Sequence, residues 1–174
     1  LERKLAISVQ AVSKKDPDRP QRIAEDCQKK QISVCTIQDE QYPILLKQIY
    51  HAPLVLFYRG RLQSAGRRIA IVGSRRASHY GKGVAEQFAA ELAAQGITVV
   101  SGAARGIDAA AHVGALQQGR TVAVLGSGLD MVYPPEHADL LREIAKRGVV
   151  LSEYAPGTPP LPAFFPVRNR IISG

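Results

Sequence analysis

Two arginines stand among glycines and small residues, each where a β-branched run ends. Arg75 lies in Ile69-Ala70-Ile71-Val72-Gly73-Ser74-Arg75-Arg76-Ala77-Ser78, and Arg105 in Val99-Val100-Ser101-Gly102-Ala103-Ala104-Arg105-Gly106-Ile107-Asp108. The chemistry these residues suit is the grip of an anion. At the strand-to-helix joins of an open α/β sheet, unpaired backbone N–H groups and helix N-termini favour negative charge, and glycine lets a phosphate approach the backbone. A guanidinium in each turn adds a planar fork of donors that matches phosphate oxygens two at a time. A third group is Ala163-Phe164-Phe165-Pro166-Val167-Arg168-Asn169-Arg170. With Pro166 taken as the entry to a helix, Arg168, Asn169 and Arg170 fall in its first turn, where two cations oppose the macrodipole unless an anion balances them. Phe165 reads either as core or, beside such a rim, as a surface on which an unpaired base stacks.

Other chemistries fit less well. The first turn lacks G-x-G-x-x-G, Gly126-Ser127-Gly128 is only a short match, and Ser101 stands where a dinucleotide site wants an acid for the ribose. Ser101, Asp108 and His112 lie close in sequence, and the last two share a helix face, but the G-x-S-x-G elbow of a hydrolase is absent. A carboxylate in the first turn of a helix is explained by capping, and His112 by a structural hydrogen bond. Tyr80, Tyr133 and Tyr154 fall in loops after strands and serve equally well as loop closures. Cys27 and Cys35 are too few for a disulfide scaffold or a zinc cluster, so neither a metal nor a cofactor is expected.

The elements that must position these residues alternate after Gly66. Strands are expected at 69–73, 97–101, 121–125 and 149–152, with helices at 84–95, 107–118 and 138–146. Near-continuous apolar strands at such spacing call for parallel pairing with right-handed crossovers. The fold class is therefore α/β: a doubly wound, mainly parallel sheet with helices on both faces. Before Gly66, a helix at 22–30, a strand at 32–36, a short helix at 43–49 and a strand at 54–58 are expected, the last three extending the same sheet. Residues 1–19 read as a helical remnant and linker, which places a boundary near residue 31 and the main domain at 32–174. A chain that opens on Leu1 and stops soon after a helix start reads as a fragment. The net charge of +8 and a pI near 9.8 favour a polyanionic partner. That charge is uneven: residues 1–68 hold 13 basic and 7 acidic residues, whereas residues 69–174 hold 10 and 8. The arginines of the second part are thus placed at joins within a nearly neutral segment. No apolar run is long enough to cross a bilayer and no secretory signal is evident, so a cytoplasmic protein without a membrane partner is expected.

Five motifs in order carry a resemblance. They are Val72-Gly73-Ser74-Arg75; the run from Ser101 through His112; Leu125-Gly126-Ser127-Gly128-Leu129-Asp130 with Tyr133-Pro134; Leu151-Ser152-Glu153; and Phe165 through Gly174. Together with Tyr42-Pro43, Leu45-Leu46 and Pro53 to Gly60, the chain from about residue 32 onward resembles the DNA-processing family DprA, also called Smf. The resemblance implies a Rossmann-like domain that binds single-stranded DNA, protects it during natural transformation and helps load the RecA recombinase, with a homodimer left open. It assigns Gly73, Ser74 and Arg75 to the phosphate turn and Phe165, Arg168, Asn169 and Arg170 to the neighbouring rim. Arg105 joins them on charge alone. The family's lysine shortly before the Phe-Pro pair is replaced here by Leu161, Pro162 and Ala163. A non-catalytic DNA binder is therefore expected. The alternatives are a nucleotide phosphoribohydrolase, whose Pro-Gly-Gly-x-Gly-Thr turn does not occur here, and a mononucleotide sensor, less suited to basic groups at several separate joins.

Overall fold

A computed structural model describes residues 18–174, so most of the expected N-terminal remnant and linker, residues 1–17, lies outside the described residues. Helix α1 (Arg19–Lys29) leads into strand β1 (Ser33–Thr36), a 3-10 turn (Leu45–Gln48) and β2 (Val55–Gly60). Then follow β3 (Arg68–Ala70), α2 (His79–Ala94), β4 (Thr98–Ser101), α3 (Ile107–Gln118), β5 (Thr121–Val124), a 3-10 turn (Pro135–His137), α4 (Ala138–Arg147), β6 (Val149–Ser152) and α5 (Phe164–Ser173). The six strands form one sheet in the order β1-β2-β6-β5-β4-β3. β3 to β6 pair in parallel, while β2 joins β6 and β1 joins β2 antiparallel. This is the expected Rossmann-like α/β architecture, extended by an antiparallel pair.

The period of two along each strand divides the core between two faces. Ala123 and Val150 pack with Cys27 and Ile32 of the α1 end and with Leu141 and Ile144 of α4. Val99 packs with Ala89 and Ala93 of α2 and Ala111 and Ala115 of α3. These alanines let α2 and α3 approach so closely that a Cβ on Gly114 would stand 1.9 Å from the Glu86 carbonyl oxygen. On the opposite face Val100, Val124 and Leu151 meet Tyr42, Leu46 and Ile171–Ile172 of α5. Each fully buried branched side chain contributes about 1.5–3 kcal/mol. The second face is less fully covered, with a cavity of about 200 Å³ over Val100, Val122 and Val124. β3 lies at the sheet edge beside it, and Ile69 is 42% exposed.

Several element boundaries differ from expectation, two of them for identifiable reasons. β3 is shorter than 69–73, although Ile71 N–H still donates to the Val100 carbonyl, because Gly73 is drawn out of the ladder by a side chain of α3. α2 begins at His79, not near 84: the Ser78 hydroxyl accepts from Gly81 N–H and caps the helix, outweighing the low propensity of Gly81 and Gly83. No helix among the described residues is long and apolar enough to cross a membrane.

His112 is wholly buried on α3, and burial lowers its pKa from 6.5 to about 3. The Thr121 hydroxyl donates to Val99 O, so it accepts from His112 Nδ1–H, which fixes a neutral tautomer. A group that cannot be charged in the fold but can be in the unfolded chain favours unfolding as pH falls between those two values. Above about pH 6.5 stability is expected to be insensitive to His112, and below it to decline by about 1.4 kcal/mol per pH unit from this residue. Urea unfolding at a series of pH values, compared with His112→Gln, measures the difference in slope.

Candidate nucleic-acid interface

The loops after β3, β4 and β5 and the start of α5 meet at one end of the parallel strands. The β4 turn reverses through Ala103 (φ 53°) and Gly106 (φ 81°) and leans on the β3 turn, with Ile107 N–H donating to Ser74 O at 3.2 Å. Only glycine fits at 106, because a Cβ there would lie 2.2 Å from Ser74 O.

Between the two turns sits Asp108, 5% exposed. One carboxylate oxygen accepts from Gly73 N–H at 3.3 Å, and the other from Gly102 N–H at 3.2 Å and Ala104 N–H at 3.4 Å. The capping expected of Asp108 thus reaches across both turns. It also changes the anion chemistry: the Gly73 and Gly102 amides, apt for phosphate by type, already serve an internal carboxylate. The approach to an external anion falls to the guanidinium groups.

A narrow cleft of about 20 Å³ gathers Arg75, Arg105, Phe165 and Arg168, with Tyr133 and Pro134 closing it. Arg75 is exposed, its guanidinium 5.7 Å from the centre of the Phe165 ring, and Tyr133 meets the same ring at 5.7 Å. Cation–π seating of this kind holds the arginine without consuming its hydrogen-bond donors. Arg105 instead pairs with Glu136 at 2.5 Å, both side chains about half exposed; that bond raises the pKa of Arg105 and lowers that of Glu136. Gly73 and Ser74 do not line the cleft; they precede Arg75 in the β3 turn, where the Ser74 hydroxyl accepts from Arg76 N–H.

The rim residues of α5 divide. The helix begins at Phe164, so Pro166 occupies its first turn, where an N–H would have no intrahelical acceptor, and Arg168 to Arg170 lie beyond that turn. Arg168 is 4% exposed: its Nη1 donates to Gly102 O at 2.9 Å and to Val124 O, and burial lowers its pKa while neighbouring Asp108 opposes the shift. It braces the cleft wall from behind, 5.9 Å from the Phe165 ring. Asn169 is exposed and accepts from Arg168 Nε at 3.4 Å. Arg170 turns to the other side of the helix, where it donates to both Glu153 oxygens at 2.7 and 2.5 Å and to His51 O.

Sequence reasoning did not foresee Glu136 as the partner of Arg105 or Glu153 as the partner of Arg170; separations of 31 and 17 residues leave no local signal. The Ser101, Asp108 and His112 set does not assemble. The Ser101 hydroxyl donates to Ile71 O at 2.6 Å, and His112 faces Thr121 in the core. Among the described residues no cluster of His, Cys, Asp and Glu is suited to a metal ion.

Comparison with known proteins places this arrangement. The family model for DNA recombination-mediator protein A matches residues 33–174. Protein Smf of Synechocystis is 44% identical over 161 residues, covering 89% of this chain and 40% of that one. DNA processing protein DprA of Bacillus subtilis is 43% identical, covering 82% and 49%. The X-ray structure of DprA from Streptococcus pneumoniae superposes with a TM-score of 0.78 at 38% identity, over 98% of this chain and 62% of that one. A structure describing the single-stranded DNA binding mode of DNA processing protein A from Helicobacter pylori gives 0.71 at 31% identity, over 82% and 64%. The chain spans half or less of the length of these curated relatives.

Replacing Asp108 removes one acceptor from three amides and leaves Arg168 buried beside no carboxylate. Asp108→Ala is expected to cost about 1–3 kcal/mol or more, the penalty for leaving buried donors without their acceptor, read as a lower midpoint in urea. Asp108→Asn, which keeps one acceptor oxygen, is expected to cost less.

Proposed function

The chain belongs to the DNA recombination-mediator protein A family, and from that premise we propose that it is a non-catalytic single-stranded DNA binder of DNA uptake. The observation that carries the reading is Arg75, exposed and seated on Phe165 at the mouth of a cleft shared with Arg105 and Arg168. Arg75 meets a phosphate directly. Arg105 does so by exchanging Glu136 for the DNA, an exchange that costs little because exposed pairs are worth about 0–1 kcal/mol. Arg168 holds the wall rather than the strand. Gly73 and Ser74 set the turn from which Arg75 projects, and Asn169 stands exposed on the adjoining helix. A strand held through guanidinium groups and a ring is bound with little regard to sequence.

The wider role rests on the family: protection of incoming strands, delivery to the RecA recombinase, a homodimer and a cytoplasmic location belong to the same proposal. So does the division into residues 1–31 and a DNA-binding domain at 32–174. The absence of catalysis is supported by Ser101 and His112, each committed to an internal hydrogen bond.

Titration of an oligothymidylate at several salt concentrations tests the reading. Arg75→Ala is expected to weaken binding and to reduce the salt slope by about 0.7, the value for one phosphate contact on a single strand. Phe165→Ala is expected to cost about 1–3 kcal/mol. Binding and slope unchanged in Arg75→Ala would overturn the proposal.

A further inference from the structure

The cleft beside Arg75, at about 20 Å³, has room for roughly one water-sized group. Its interior can receive a phosphate oxygen but not a base, which is left to lie over the partly exposed edge of the Phe165 ring. On the other side of the α5 N-terminus lies a far larger cleft of about 730 Å³, between the start of α1, the chain entering β2 and the loop after β6. The two are divided by consecutive residues: Phe165 faces Arg75 and Tyr133, whereas Phe164 stacks on Tyr154 with ring centres 4.3 Å apart and planes 23° from parallel. We infer that the larger cleft is a second nucleotide subsite on the path of the same single strand, which passes over the start of α5 from one cleft to the other. This rests on the proposed DNA-binding reading.

Three features commit the cleft to a nucleotide. The Tyr154–Phe164 stack is a ready platform that a base extends, and base–aromatic stacking tolerates any base. The Glu153–Arg170 pair in the lining presents both polarities. Arg170 spends Nε on His51 O, Nη1 on Glu153 and Val167 O, and one Nη2 hydrogen on Glu153, so a single N–H remains beside carboxylate lone pairs. That combination suits the donor–acceptor edge of a base rather than a phosphate. The phosphate falls to Arg19, which is exposed at the cleft and makes no ion pair among the described residues. The arginine that the family motif places on the rim thereby acquires a role on the far side of the helix, reading the base.

Oligothymidylates of four and twelve nucleotides separate the two clefts: the short one fills the Arg75 site, and the long one spans both. Arg19→Ala, Tyr154→Leu and Leu54→Glu, the last at a lining position 45% exposed, are each expected to weaken the long oligonucleotide at least about fivefold and leave the short one unchanged. Thermal melts establish that the variants are folded. Arg75→Ala is expected to weaken both oligonucleotides. In the unaltered chain, a twelve-nucleotide strand carrying 5-iodouracil is expected to photocrosslink to Tyr154 or Phe164. Crosslinks confined to Phe165 and Tyr133, or folded variants that bind the long strand normally, would overturn the second subsite while leaving the first reading intact. Failure of the unaltered chain to bind either oligonucleotide would overturn both.

Discussion

The carboxylate of Asp108 is the constraint on which the binding edge depends. It draws amides from the β3 turn and the β4 turn onto one buried group, so that two loops from different strands share a single anchor. Gly102 lies between this anion and the Arg168 guanidinium: a Cβ there would stand 2.8 Å from Asp108 Oδ2 and 2.7 Å from Arg168 Nη2. Arg168 in turn donates to Gly102 O and Val124 O, which brings α5 against the ends of β4 and β5. One negative and one positive group, each nearly out of solvent, thus fix three loops and a helix relative to one another. Buried charges are costly unless hydrogen-bonded or paired, and here backbone groups supply the hydrogen bonds: three amides donate to Asp108 and two carbonyls accept from Arg168.

That internal economy determines what the surface can offer. With the glycine amides engaged, the exposed anion-seeking groups are side chains, and they differ in readiness. Arg75 rests on an aromatic ring and keeps its donors, whereas Arg105 is held by Glu136. On the proposed reading, a phosphate at Arg105 must displace the Glu136 carboxylate, whereas Arg75 makes no ion pair among the described residues. Both sites are exposed enough that added salt weakens them, while the Asp108–Arg168 support is screened far less. On the same proposed reading, salt therefore weakens a bound strand without loosening the edge beneath it.

Much of the fold was legible in the chain, because β-branched runs, glycine stops and apolar spacing are local signals. α3 spans Ile107–Gln118 and β6 spans Val149–Ser152 as expected, and β2, Val55–Gly60, extends the sheet where a strand at 54–58 was expected. Of the residues read together from the sequence, Arg75, Arg105, Phe165 and Arg168 line one cleft, and their division of labour was not legible. Arg168, Asn169 and Arg170 are adjacent, and nothing in their types tells that the first is buried beneath the turn and the third is turned away. Those assignments depend on Gly102 and Val124, 66 and 44 residues from Arg168, and on Glu153, 17 residues from Arg170. Arginine near a helix start reads as anion-seeking in either case, since residue type carries the charge while tertiary contact decides its use.

The geometry of α5 explains why one short motif can serve two sides of a ridge. Successive residues of an α-helix point about 100° apart, so neighbours cannot share a face. Phe164 and Phe165 accordingly reach different aromatic partners, Tyr154 and Tyr133, which come from the loops after β6 and β5. Arg168 and Arg170, two residues apart, are likewise sent to opposite sides, one behind the Phe165 ring and the other to Glu153. Pro166 sits between the two pairs in the helix's first turn, where its ring costs no intrahelical hydrogen bond and limits how the backbone there can bend. A run of seven residues therefore supplies a ring and a guanidinium to each of two clefts, and the helix start between them is the crest that a strand engaging both must cross.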